Sequence, residues 1–314
     1  MLHSLFVVGS INVDLLMNLP AIPREGETVT GGVFSQAQGG KGANAAVAAA
    51  RSFAQSQNGA VAFIGAVGDD AAGLACLLAL DEEGIETSGV LRLPQTATGT
   101  AFILLDNAGR NAISVASGAN AALTANKIRQ SKNRLQGAKW LLLGNEIAPE
   151  ATLAALEIAR DYRLPTLLNY APALPQKVPL CKEISVLVVN ETEAAQLANF
   201  PVETPEQAKQ AACELQKRGP KTVIVTLGAQ GLVVASENRE CWHQSAFKVS
   251  PVDTTAAGDT FCGALAARLC EGAPFEEAVR FGAGAAALCV TRRGAQPSIP
   301  TRSEIEKFLA LQPH

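Results

Sequence analysis

The sequence predicts an α/β fold. A mostly parallel central sheet is sandwiched between helices on both faces, and a small β-sheet lid is inserted into the larger body. Three observations carry this. Short apolar runs alternate with longer segments of helical spacing, the pattern of strands buried on both faces by crossover helices. Residues 13–34 and 98–117 break that rhythm with extended alternating patterns. A chain of 314 residues has room for one large domain with an accessory piece.

The apolar runs place strands at residues 6–9, 61–67, 140–144, 166–169, 186–190 and 222–226. Helical spacing places helices at 45–54, 70–83, 149–162, 192–198, 204–218, 258–271, 275–291 and 303–311. In the last third, Phe261, Leu265, Leu269 and Val279 recur at core spacing among small residues. In 98–117, a run from Thr100 to Leu105 and another from Asn111 to Val115 flank a turn at 106–110, a hairpin pattern. The expected division is a large domain of 1–12, 35–97 and 118–314 with a lid of 13–34 and 98–117. Gly31-Gly32 and Gly39-Gly40 are hinge candidates.

A formal charge of −3 and a pI near 5.7 give no electrostatic footprint for nucleic acid. No apolar run reaches the roughly 18 residues that span a bilayer, and the first ten residues lack a basic stretch with a cleavage site. The expectation is a cytoplasmic protein that engages no membrane. Seven scattered cysteines without a Cys-x-x-Cys spacing read as reduced thiols. His3, His243 and His314 lie too far apart in sequence to suggest zinc.

Residues 251–263 carry the most chemistry. Ala256, Ala257 and Gly258 stand at the mouth of a helix, followed by Asp259. Small residues there let backbone N–H groups face an anion, with the helix dipole behind them. A carboxylate beside such a cradle is repelled by its target unless it takes a proton from an alcohol. The alternative is that Asp259 only caps the helix. A second glycine-rich segment, Gly39-Gly40-Lys41-Gly42-Ala43-Asn44, opens another helix, and Asn44 offers a donor and an acceptor to a sugar hydroxyl. Glycines there also suit a mere tight turn. Asn12 and Asp14 follow the first strand and project from one side of an extended segment, where they could clasp a polyol or form an Asx turn. Glu146 and Asn190 with Glu193 follow later strands, and Thr226-Leu227-Gly228 another, so polar groups gather where parallel sheets bind ligands.

Three motifs, Gly39 to Asn44, Asn190-Glu191-Thr192-Glu193 and Asp253 to Asp259, resemble in order and spacing the signatures of the ribokinase-like (PfkB) carbohydrate kinases. The likeness runs from Val8 to Ser298. It implies a ribokinase-like three-layer sandwich whose lid forms a homodimer contact. The implied reaction is ATP-dependent phosphorylation of a sugar's primary hydroxyl. Asn12 with Asp14 and the Gly-Gly-Lys-Gly-Ala-Asn run point within the family to D-ribose and its O5. The resemblance implies Asp259 as general base and Ala256, Ala257 and Gly258 as the anion hole. It implies Asn12, Asp14, Gly40, Lys41, Asn44 and Glu146 on the sugar, and Asn190, Thr226, Gly228, Gly231 and Gly258 on ATP. Mg²⁺ would be organised through Glu193 by way of bridging waters, and K⁺ would be held by Asp253, Thr255, Cys289, Arg292, Gly294 and Ser298. Each has a plainer alternative: a solvated Lys41, a helix-start acid at Glu146 or Glu193, loop hydrogen bonds at Asp253. One departure is Ala283, where these kinases commonly carry an Asn near the nucleotide. Other readings are a kinase of deoxyribose, fructose or a nucleoside, and a non-catalytic sugar sensor.

Overall fold

The computed structural model describes residues 3–54, 60–108, 110–173, 178–237 and 239–312. The chain enters the main sheet through β1 (Leu5–Val8), buried at every position. Alternation sends Phe6 and Val8 into one apolar core and Leu5 and Val7 into the other. β2 (Asn12–Leu19) and β3 (Val33–Gly39) leave this sheet and pair antiparallel. Next come α1 (Lys41–Ser52), β4 (Val61–Gly68), α2 (Ala71–Glu82) and β5 (Glu86–Leu93). The side chain of Asp70 caps α2, accepting the Gly73 N–H at 2.7 Å.

β6 (Gly99–Asp106) and β7 (Asn111–Ala116) return to the small sheet, which runs β3-β2-β6-β7. The Asp106 carboxylate accepts the N–H groups of Ala108 at 3.0 Å and Arg110 at 2.9 Å across the expected turn; residue 109 lies outside the described residues. α3 (Ala125–Gln130), β8 (Trp140–Leu143), α4 (Pro149–Tyr162) and β9 (Thr166–Asn169) follow, then β10 (Val186–Asn190), α5 (Glu191–Ala198) and α6 (Pro205–Gln216). The chain continues through β11 (Thr222–Thr226), β12 (Leu232–Ser236), β13 (Arg239–Gln244), α7 (Ala257–Cys270), α8 (Phe275–Cys289) and α9 (Arg302–Ala310).

Among the described residues the main sheet runs β13-β12-β11-β10-β9-β8-β1-β4-β5, parallel from β11 to β5 and antiparallel at the β12–β13 edge. The chain steps from β1 through β4 to β5 on one side, and from β8 to β11 on the other. The β1–β8 boundary is therefore a topological switch point, where adjacent loops part and leave a crevice.

Two expectations need correction. Apolar runs did not predict β5, β12 or β13. β5 begins Glu-Thr-Ser-Gly, and β13 is an edge strand with exposed polar residues, so neither shows a continuous apolar signal. The small sheet also reaches beyond the expected boundaries: β2 starts at Asn12 and β3 runs to Gly39, so Asn12 and residues 35–39 belong to it rather than to the larger body. Among the described residues no helix is long and apolar enough to cross a membrane, and no group of three His, Cys, Asp or Glu side chains could hold a metal. All seven cysteines are free thiols.

Candidate active site

Helices α1 and α7 cross with their backbones nearly touching, because both are built from alanine and glycine where they meet. A Cβ on Gly263 of α7 would stand 2.7 Å from the Ala48 Cβ of α1. This approach brings the first turns of the two helices together. Asn44 Nδ2 donates to Asp259 Oδ2 at 3.0 Å, and Asn169 Nδ2, from the end of β9, donates to Oδ1 at 3.2 Å. Asp259 is 4 % exposed, and both of its oxygens are held by carboxamides.

The sugar-binding candidates converge on the same place. Gly40 takes φ +89°, a backbone that side chains rarely adopt, and a Cβ there would stand 2.7 Å from the Asn12 amide nitrogen and 2.9 Å from the Ser10 carbonyl oxygen. Glu146 Oε2 accepts from the Lys41 N–H at 3.0 Å and the Ser10 hydroxyl at 2.7 Å. Glu146 thus anchors the N-terminus of α1, rather than of the helix that follows it. Asn12 Oδ1 accepts from Asn120 Nδ2 at 2.8 Å, which fixes its carboxamide orientation. The Asp14 carboxylate packs against Gly39, where any side chain would collide with it. The carbonyl oxygen of Asn44 is buried without a protein partner, an acceptor suited to a ligand hydroxyl.

The electrostatics follow from burying several carboxyls around one lysine. Burial, with Glu146 and Asp259 nearby, pushes Asp14 up to about 6. Burial pushes Glu193 up to about 7 despite the Asn190 amide and Lys41. Burial also raises Asp259, outweighing Lys41 and the amides of Asn44 and Asn169. Lys41 moves up as well, chiefly because of Asp259, so it is firmly charged.

On the other side of the α7 N-terminus lies a cavity of about 500 Å³. Its walls include Thr226, Gly228, Gly231, Ala257 and Gly258 at one end, and Phe247, Ala283, Ala286 and Val290 elsewhere. Gly228 and Gly231 take φ +49° and +93°, conformations that side chains rarely adopt, and a Cβ on Gly231 would collide with the backbone of Gln244 and Ala246. Ala256 takes φ +61° as the N-cap of α7, strain of about 1–3 kcal/mol that forms a concave nest of N–H groups with the next residue. The Ala257 N–H reaches the Thr254 carbonyl at 3.3 Å.

Asn190 is not part of the cavity wall. It pairs in register with Thr226 and caps α5. Its Oδ1 accepts the Glu193 N–H at 2.8 Å while Glu193 Oε2 accepts the Asn190 N–H at 2.8 Å, a complete capping box. Capping therefore accounts for one oxygen of Glu193, and the charges of Lys41 and Asp259 are felt by its carboxyl.

The remaining group gathers around the loop before α7. Asp253 Oδ1 accepts from the Thr255 N–H at 2.9 Å and hydroxyl at 2.6 Å, and Oδ2 accepts from the Gly294 N–H at 2.9 Å. The Cys289 thiol donates to the Thr255 carbonyl at 3.6 Å and lies 3.0 Å from the Ser298 hydroxyl. Arg292 joins through its N–H to the Cys289 carbonyl at 3.1 Å, while its guanidinium pairs with Glu304 at 2.6 Å.

Sequence reasoning missed three residues that hold this site: Ser10, Asn120 and Asn169. All are buried. Asn169 ends a parallel strand, the position that singled out Asn12, Glu146 and Asn190, and the same rule would have found it.

The chain resembles known proteins over its whole length. Residues 2–302 match the model of the pfkB family carbohydrate kinases. A ribokinase from Haemophilus influenzae is 40 % identical over 309 residues, covering 98 % of this chain and 99 % of the relative. A deoxyribokinase from Salmonella typhi is 34 % identical over 306 residues, covering 97 % and 98 %. The solved structure of Arabidopsis thaliana ribokinase complexed with ribose and ATP superposes with a TM-score of 0.88 at 33 % identity, covering 99 % of this chain and 100 % of that one.

Proposed function

This chain belongs to the pfkB family of carbohydrate kinases, and from that premise we propose that it transfers the γ-phosphoryl group of ATP to O5 of D-ribose. The observation that carries the reading is the Asp259 carboxylate, buried between the polar cluster and the cavity and gripped through both oxygens. Asn12, Asp14, Gly40, Lys41, Asn44 and Glu146 hold the sugar hydroxyls, and Asp259 accepts the O5 proton as the oxygen attacks phosphorus. The N–H groups of Ala256, Ala257 and Gly258 receive the charge spreading over the moving phosphoryl group. An anion there displaces the long Ala257–Thr254 bond. ATP lies in the 500 Å³ cavity, its phosphates along Thr226, Gly228, Gly231 and Gly258, while Asn190 backs this loop through its pairing with Thr226.

Two cations complete the reading, and the residues present suit them. The uncapped oxygen of Glu193 is a hard donor for Mg²⁺ held through water, and Mg²⁺ would neutralise phosphate charge. Asp253 is held below the usual carboxylate range by the Thr255 and Gly294 groups, although burial opposes them. It therefore stays anionic, and the family likeness would add the carbonyls of Thr255, Cys289, Arg292 and Gly294 and the hydroxyl of Ser298, an oxygen-rich set suited to K⁺. That loop continues directly into Ala256–Asp259, so ordering it fixes the anion hole. The small sheet, with Val33, Phe34, Phe102, Ile113 and Val115 exposed, supplies the surface for a homodimer.

The test is a panel of ribose, 2-deoxyribose, fructose and nucleosides with MgATP, with and without K⁺, and the phosphorylated position read by NMR. Ribose 5-phosphate as the favoured product, formed faster with K⁺, supports the reading. The Salmonella deoxyribokinase likeness makes 2-deoxyribose the second substrate; a preference for it would redirect the assignment. Binding of sugar without turnover would overturn it.

A further inference from the structure

We propose that Asn169 is a positioning residue for the phosphoryl-transfer step: through its hydrogen bond to Asp259 Oδ1 it aims the carboxylate at the attacking hydroxyl. The inference rests on the reading of Asp259 as the base. Asn169 is 5 % exposed, at the last position of β9, where its Cα pairs with Val188. Its Nδ2 meets Oδ1 at 3.2 Å, while Asn44 Nδ2 meets Oδ2 at 3.0 Å. Two donors approaching from two different elements, a strand end and a helix start, fix the plane of the carboxylate.

The two carboxamides differ in a way that separates their roles. Asn44 retains a buried carbonyl oxygen without a protein partner, so it can serve both the sugar and Asp259. Asn169 stands on the far side, bonded to the other oxygen, and acts through Asp259. Its second effect is electrostatic. Charged and titratable groups face Asp259 from every side: Lys41 on α1, Asp14 on β2, Glu146 after β8 and Glu193 on α5, with the protonated thiols of Cys262 and Cys289 nearby. Burial favours the neutral acid, which cannot accept a proton. Lys41 and the two amide donors oppose it. Losing the Asn169 donor leaves burial and the neighbouring carboxyls with less opposition. The proton affinity of Asp259 then rises, and the acid limb of the rate profile moves to higher pH.

The experiment compares kcat and KM for ribose across pH in the parent and in Asn169→Leu, which keeps the branched side-chain shape without a donor. Asn169→Asp adds a carboxylate against Asp259, and Asp259→Asn serves as control. In a folded Asn169→Leu protein we expect kcat to fall roughly tenfold or more. KM for ribose should stay within about threefold, and the acid limb should rise by about half a pH unit or more. Asn169→Asp should move that limb further, because two carboxylates then compete for one proton. If the leucine variant does not fold, Asn169→Ala and Asn169→Asp carry the same readouts. An unchanged kcat and acid limb, or a loss confined to KM, overturns the proposal. An inactive Asp259→Asn beside a parent-like Asn169→Leu defeats this inference alone. A fully active Asp259→Asn defeats the general-base reading instead.

Discussion

The two sides of the α7 N-terminus are built from opposite materials. Toward α1, buried side chains do the work: Asn12, Asn44, Glu146 and Asp259 are each fixed by a named hydrogen bond. Toward α8, the wall is small and apolar, with Ala283, Ala286 and Val290 facing a backbone-lined loop. A site whose buried polar groups need partners rejects ligands that lack them, whereas an apolar pocket discriminates weakly. Selectivity should therefore reside on the sugar side, and the nucleotide should be held by shape and by its phosphates.

The largest way to break that contrast is on the polar side. Asn44→Leu removes one of the two donors to Asp259 and the free acceptor together, and kcat/KM for ribose should fall on the order of a hundredfold or more. A loss of only a few-fold would mean the polar cluster is scenery. On the apolar side, replacing ATP by GTP or CTP should cost less than about tenfold in kcat/KM. A thousandfold preference for ATP would show that base recognition lies in contacts other than this wall. Ala283→Asn sharpens the same point. By adding a donor and acceptor to the wall, it should lower KM for ATP by a few-fold and leave KM for ribose unchanged.

The smallest expected effect is on stability. Asp14 at about 6 and Glu193 at about 7 bind protons more tightly folded than unfolded. The unliganded protein should therefore gain stability as pH falls from 8 toward 5, and lose it as pH rises through those values. A gain of about 2–4 °C in Tm is expected, and calorimetry on Asp14→Asn and Glu193→Gln should show a flatter dependence. Below that window the effect reverses, because Arg292 and the Thr301 amide hold Glu304 at about 2.

The same contrast governs what the sequence could reveal. β1, β4, β8, β9, β10 and β11 stand within a residue or so of their expected positions, because strands buried on both faces need apolar residues through their interiors. β13 is partly exposed and the first half of β5 is polar, so only their pairing with neighbours defines them. At the site, local motifs placed Asn44 and Asp259 in the first turns of two helices, but not the approach of α1 to α7 that joins them, which depends on small residues such as Ala48 and Gly263 far apart in the chain. Glu193 shows the limit of a motif. Its spacing from Asn190 suits both a cap and a cation site, and the capping box is present without deciding on the second. Asn169 lay within reach of the strand-end rule that singled out Asn12, Glu146 and Asn190, because it closes a parallel strand.

The most direct test of the account is the rate of the chemical step in Asp259→Asn, measured in a single turnover at saturating ribose and MgATP, with calorimetric binding of both ligands alongside. The account expects phosphoryl transfer to fall at least about a thousandfold while both ligands still bind within a few-fold of the parent. Transfer at close to the parent rate would contradict it, because an alcohol whose proton has no acceptor at this position would then be attacking just as well.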